Sequence, residues 1–156
     1  MRRVLQRTIL WCALGLMLVL IFSMSAQSGD DSTGISDRIV LPILDMIGWI
    51  RPDLDASALE ELYWPVQTIV RKTAHMAEFA LLAVLILLLL ISYERKHAGI
   101  WAWVLSLVNA VLDELHQTMV DGRMAMATDV LIDGVGALLG ILAAGMILKK
   151  WKKIET

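Results

Sequence analysis

Residues 8–29 run for 22 positions without a charged side chain, and no other feature limits the fold as much. At about 1.5 Å of helical rise per residue, that stretch alone crosses a hydrocarbon core about 30 Å thick. Three further uncharged runs, 79–93, 98–112 and 134–148, hold 15 residues each. A 15-residue helix reaches only about 22 Å, so each run must borrow polar residues at one end in order to span. The borrowed residues are easily found. His75 and Glu78 precede the first of these runs, Asp113, Glu114, His116 and Gln117 follow the second, and Asp129 and Asp133 precede the third. The extended spans are 8–28, 73–93, 98–120 and 128–148. Hydrophobic residues make up 58% of the chain and charged ones 19%, against about 45–50% and 25% in soluble domains. The predicted fold is therefore all-α: a single polytopic membrane domain over residues 1–156, built as a bundle of four transmembrane helices.

Composition removes several function classes. A net charge of −2 argues against a nucleic-acid partner, which would need a basic face. The lone Cys12 rules out an intrachain disulfide and a cysteine-based zinc cluster. Arg2 and Arg3 before an apolar stretch, with small Ser23 and Ser25 near its end, imitate a cleavable signal peptide. The length of that stretch, and the even number of spans it completes, favour a retained helix. Nine Lys and Arg residues fall at one side of the spans and five at the other. By the positive-inside rule, both termini and the 93–97 turn are expected in the cytoplasm. The chain is thus expected to be a multi-pass membrane protein. The Lys149–Lys153 cluster has the character of an anionic-lipid anchor.

The outer loop, about 25–70, is the one sizeable segment outside the bilayer. Residues 25–36 are small and polar and read as loop. Apolar residues at 39, 40, 43, 44, 46, 47 and 50 predict a short amphipathic helix over 37–50 in the membrane interface, anchored by Trp49. Ser57 with Glu60 reads as a capping box opening a further short helix, and Trp64-Pro65 leads into the second span.

All the borrowed polar residues fall in the outer halves of their spans, with Ser23, Ser25 and Gln27 at the outer end of the first. Ionisable groups inside a bilayer cost about 2.5–3.5 kcal/mol each at its centre and mark functional sites by default. The bland alternative is a salt-bridged plug, with Arg71 or Lys72 on Glu78, Arg123 on Asp129 and His116 on Asp113. A plug needs two or three such groups, whereas seven acidic or imidazole side chains from three helices gather here. Arg71, His75 and Glu78 share a helix face, as do Asp113 and Gln117, Glu114 and Gln117, and Asp129 and Asp133. Such a set suits either a His–carboxylate acid–base pair or a divalent cation held by oxygen and imidazole. No metal-ligand spacing is diagnostic, so the metal is left unknown and no cofactor is evident. Gly136 and Gly140 form a small-xxx-small packing seam. His97 reads as a surface residue, and Trp11, Trp101 and Trp103 as interfacial belt residues.

The ordered set FSMSAQS at 22–28, VRKTAHMAEF at 70–79, DELHQ at 113–117, Arg123 and DVLIDGVG at 129–136 resembles the VanZ-like family of bacterial membrane proteins. The likeness covers about residues 8–148. The aromatic residue common in the family is kept as Phe79, while Gly134 stands where Asn or Thr is frequent. The resemblance implies an inner-membrane protein associated with low-level resistance to teicoplanin, a lipoglycopeptide acting on cell-wall precursors outside the membrane. It carries over Arg71, Lys72, His75, Glu78, Glu114, Gln117, Arg123, Asp129 and Asp133, the residues already singled out by their place in the bilayer.

Two functions compete. In the first, the chain works at the outer leaflet on an envelope lipid or lipoglycopeptide. Arg71, Lys72 and Arg123, with Ser25 and Gln27, would bind the substrate or its phosphate. In the second it is an intramembrane hydrolase or transferase, metal-assisted or not, modifying a lipid-linked envelope precursor. His75, Glu78, Glu114 and Gln117 are its catalytic candidates, and Asp113, Asp129 and Asp133 would support or orient them. A transporter would need polar groups through the whole membrane, which the uncharged inner runs do not provide. Membrane lipids and a lipid-linked precursor or lipoglycopeptide are the expected partners.

Overall fold

The computed structural model describes residues 1–27, 29–120 and 126–154, with residues 29–32 and 150–154 described by their backbone alone. Its elements are five helices: α1 (Arg2–Ser25), α2 (Gly29–Ile50), α3 (Ala56–Ser92), α4 (Ala98–Gln117) and α5 (Ala127–Ile154). Four of them, α1, α3, α4 and α5 over Ala127–Lys149, are long and apolar enough to cross a membrane. Among the described residues there is no strand. The all-α, four-span architecture expected from the uncharged runs is the observed one.

α3 is the central post and packs against each of the other helices. It supplies Phe79, Leu82, Ala83, Ile86, Leu87 and Leu89 to the core. α1 buries Leu14, Met17, Ile21 and Ser25, a stripe at steps of three and four that turns one helix face inward. Apolar side chains on its other face, Val4, Leu16 and Val19 among them, stay exposed, as a lipid-facing surface requires. α4 buries Ala98, Ala102, Ser106 and Ala110. Small residues at every fourth position let helices approach closely where lipid, not water, is the competing solvent. The closest approach is between α3 and α5. A Cβ at Gly136 would collide with the Met76 carbonyl, and one at Gly140 with the Ala80 carbonyl. The predicted glycine seam is therefore a backbone-to-backbone contact.

The start of α1 and the end of α3 lie together. Arg3 pairs with Glu94 at 3.2 Å, Arg7 donates to the Ser92 carbonyl, and its guanidinium sits 4.2 Å from the centre of the Tyr93 ring. The 93–97 turn uses left-handed backbone at Glu94 and His97, and His97 is exposed as expected. Gly99 lies beside Ile141, so the later part of α5 approaches this end too. Ser25, Gln117 and Asp129 lie at the opposite end. Trp11 donates to the Tyr93 hydroxyl. Trp103 departs from the belt reading: its indole N–H donates to the Gly134 carbonyl at 3.0 Å and ties α4 to α5.

The outer loop is more helical than its composition suggested. The segment read as loop is helical from Gly29, so the amphipathic helix has 22 residues rather than 14. Asp and Ser depress helix interiors but favour helix starts, which is where 30–32 fall. α2 buries Ser36 and Val40 and exposes Ile35, Ile39, Met46 and Trp49. The short helix and the second span are one helix of 37 residues with Pro65 inside it. Proline removes one backbone bond, but α2 clamps both sides of this position. Tyr63 donates to Asp37 at 2.6 Å, and Gln67 to Ser36 at 3.0 Å. The cap is Asp55 rather than Ser57. Ser57 lies inside the first turn, and its hydroxyl donates back to Asp55. The Ala58 amide holds the Asp55 carboxyl below its ordinary range. A hydrogen bond from Arg51 lowers that of Asp53 to about 2.

Candidate functional site

At the end opposite the 93–97 turn, α3, α4 and α5 enclose a cavity of about 320 Å³. Seven residues singled out from the sequence line it: Arg71, Lys72, His75, Glu114, Gln117, Asp129 and Asp133. They meet for simple reasons. Arg71, Lys72 and His75 occupy one α3 face at steps of three and four. Glu114 and Gln117 are one turn apart on α4, and Asp129 and Asp133 one turn apart on α5. The Gly136 contact then draws α5 against α3 one turn beyond Asp133.

The charges in the cavity are unevenly matched. Lys72 is bonded to Asp129, each side chain about a third exposed (32%). The salt-bridged plug would put Arg71 or Lys72 on Glu78, but Lys72 and Glu78, six residues apart, lie on different faces of α3, while α5 faces Lys72 directly. Arg71, by contrast, has no ion pair among the described residues, and it lines the cavity. Glu114 accepts the Met126 backbone amide at 2.8 Å, which fixes the start of α5 against α4. Asp133 is 3% exposed, and its Oδ1 has no hydrogen-bond partner among the described residues. It stands within electrostatic reach of Glu78, Asp113, Glu114 and Asp129.

Beneath the cavity lies a second polar layer. Ser25 donates to Asp113 Oδ2 at 2.7 Å, and Gln117 donates to the same oxygen at 3.0 Å. Ser25 is 0% exposed and Asp113 1%. Ser25 had been grouped with the ligand-binding residues. It is instead sealed from any ligand, because its stripe position on α1 turns it into the core, and there it ties α1 to α4. Asp113, expected as a supporting residue, accepts both of these hydrogen bonds. Gln27, also grouped with binding, is half-buried and lies outside the cavity lining, its amide directed at the Met24 sulfur. Glu78 is not part of the lining either. It lies behind His75, with 3.9 Å between His75 Nδ1 and Glu78 Oε2. His116 packs edge-on against Phe22 rather than bonding Asp113. Ser23 is exposed and bonds back to its own helix. Arg123 lies outside the described residues.

Three lining residues escaped the sequence reading: Thr68, Met126 and Ile132. Thr68 had a usable signal, since 68, 71, 72 and 75 follow the spacing of one helix face. Met126 and Ile132 had none, being ordinary apolar residues near a helix start. Among the described residues, no three His, Cys, Asp or Glu side chains gather as metal ligands would.

The VanZ/LLP1 family profile matches residues 10–148. The chain belongs to that family. The VanZ/LLP1 match takes in α3, α4 and the whole cavity lining as well as the second polar layer. No curated protein matches the chain, and no solved structure does.

Proposed function

We propose that this VanZ/LLP1 protein binds a cell-envelope lipid or lipoglycopeptide at the outer leaflet of the bacterial cytoplasmic membrane, contributing to low-level teicoplanin resistance. The nine-to-five division of Lys and Arg supports placing the 93–97 end in the cytoplasm and the cavity at the outer face. The observation that carries the reading is the mismatch inside the cavity. Arg71 offers a guanidinium with no described counter-ion, suited to a phosphate or carboxylate. In the same cavity lining, the buried Asp133 has an Oδ1 with no donor among the described residues, and such an atom calls for a partner. One ligand answers both needs if it carries an anionic group together with hydroxyl or amine donors. A sugar-phosphate headgroup or a glycopeptide has that chemistry.

The 3.9 Å approach of His75 to Glu78 favours a second reading, a hydrolase or transferase in which the pair tightens around substrate. Turnover of a lipid-linked precursor by the purified protein would establish it. The binding reading is tested by teicoplanin susceptibility of cells producing wild type, Arg71→Ala and His75→Ala, beside each variant's melting temperature in detergent. Arg71→Ala is expected to keep its melting temperature and lose protection. Protection retained in Arg71→Ala would overturn the assignment. A fall in stability that tracks the loss would return Arg71 to a structural role.

A further inference from the structure

The 93–97 end carries a second cavity system that the outer site does not use. α1 and α4 touch far less than α3 and α5 do, and a groove of about 380 Å³ runs between them. Its walls are Trp11, Leu14 and Leu18 of α1, Ile86 and Leu89 of α3, and Leu105 of α4. Trp11 to Leu18 is about 10 Å along the helix, so the groove runs from the membrane surface toward mid-bilayer. At its mouth it opens into a wider cavity of about 660 Å³ that includes Lys96 and Glu94. Leu90, Tyr93, Arg95 and Leu105 line both spaces, which makes them continuous.

We infer that this groove holds an anionic phospholipid of the leaflet at the 93–97 end, one acyl chain between α1 and α4 and the phosphate on Arg95 and Lys96. Three features select that occupant. The groove is apolar along its length, apart from Asn109, whose amide is bonded to the Leu105 carbonyl at 2.8 Å. The mouth is cationic: Arg95 and Lys96 line it, and its single carboxylate, Glu94, is already paired with Arg3. Arg95 makes no ion pair among the described residues, so its guanidinium is available for a headgroup. Aliphatic walls leading to unpaired cations at surface depth match one amphiphile, with chain and charge in that order.

The test is native mass spectrometry of the full chain released from vesicles of mixed phosphatidylglycerol and phosphatidylcholine. Preferential retention of one phosphatidylglycerol is expected. At the usual gain per juxtamembrane cation, the double variant Arg95→Gln, Lys96→Gln should weaken retention about thirtyfold. Leu105→Trp fills the groove and leaves every cation in place. It should abolish retention while the melting temperature holds, with Leu18→Phe as the milder filling if the tryptophan variant does not fold. Equal retention of the two lipids would overturn the inference. So would unchanged retention in the filled variants, which would make the cations a surface attraction without a groove. Loss of a dimer on filling would overturn it as well, assigning the groove to a second copy of the chain.

Discussion

The two ends of this bundle treat their ionisable groups in opposite ways. At the 93–97 end the charges stay at the surface. Arg3 and Glu94 are 80% and 77% exposed as side chains, and Arg95 and Lys96 are exposed too. Each keeps most of its hydration, so each can be lost cheaply. At the other end Asp113, Glu114 and Asp133 are buried among helices. Asp113 and Glu114 hold Ser25, Gln117 and the Met126 amide in place of water, whereas Asp133 Oδ1 has no donor among the described residues. Charge at a membrane surface guides insertion and attracts lipid headgroups. Charge drawn inside a bundle must be held by a specific geometry, and that geometry shapes the polar cavity.

That contrast can be broken by altering what holds the buried end together. The largest expected effect is from Gly136→Leu. Its side chain would have to enter the Met76 backbone, an overpacking that costs about 3 kcal/mol. Melting in detergent should collapse or the yield should fall. Gly15→Ala, with nothing within 4 Å of the added methyl, should stay within about 0.5 kcal/mol of wild type. Equal behaviour of the two would mean that α3 and α5 are not in backbone contact.

A smaller effect is expected from Ser25→Ala. It leaves the buried Asp113 carboxylate with Gln117 as its remaining described donor, which should cost about 1–3 kcal/mol by the same thermal assay. An unchanged melting temperature would show that water replaces the hydroxyl and that the layer is not sealed. The smallest effect belongs to the other end. Arg3→Ala removes an exposed ion pair, worth about 0–1 kcal/mol, and the melting temperature should barely move. A loss as large as that of Ser25→Ala would erase the distinction between the ends.

Much of this was legible in the sequence because a bilayer is a strict solvent. Uncharged runs of 15 residues cannot span alone, so the polar residues at their ends had to lie at membrane depth. Helical spacing then put Arg71 with His75, and Asp129 with Asp133, on common faces. Gly136 and Gly140 announced a close crossing. What stayed hidden depends on three-dimensional neighbours. No local pattern tells Lys72 that its partner is 57 residues away on α5. Its place at the outer end of the first span put Ser25 among the ligand-binding residues, and only the rotation of α1 shows it facing the core. Pro65 and the polar 25–36 segment looked like breaks because proline and aspartate disfavour isolated helices, whereas α2 and α3 stabilise each other there. Asp55 was passed over as a cap because Ser57 and Glu60 matched a familiar pattern two residues later.

The unbroken length of α3 has a mechanical consequence. A rod of 37 residues, about 55 Å long, is stiffest when no loop interrupts it, and here Pro65 is its softest joint. Its seat against Gly136 and Gly140 acts as a fulcrum, with the residues paired to α2 on the long arm and Arg71, Lys72 and His75 close to the pivot. A sideways load on α2 therefore cannot dissipate in a flexible linker. Whatever escapes the proline joint arrives as a small tilt of three side chains, geared down from a larger displacement at the tip.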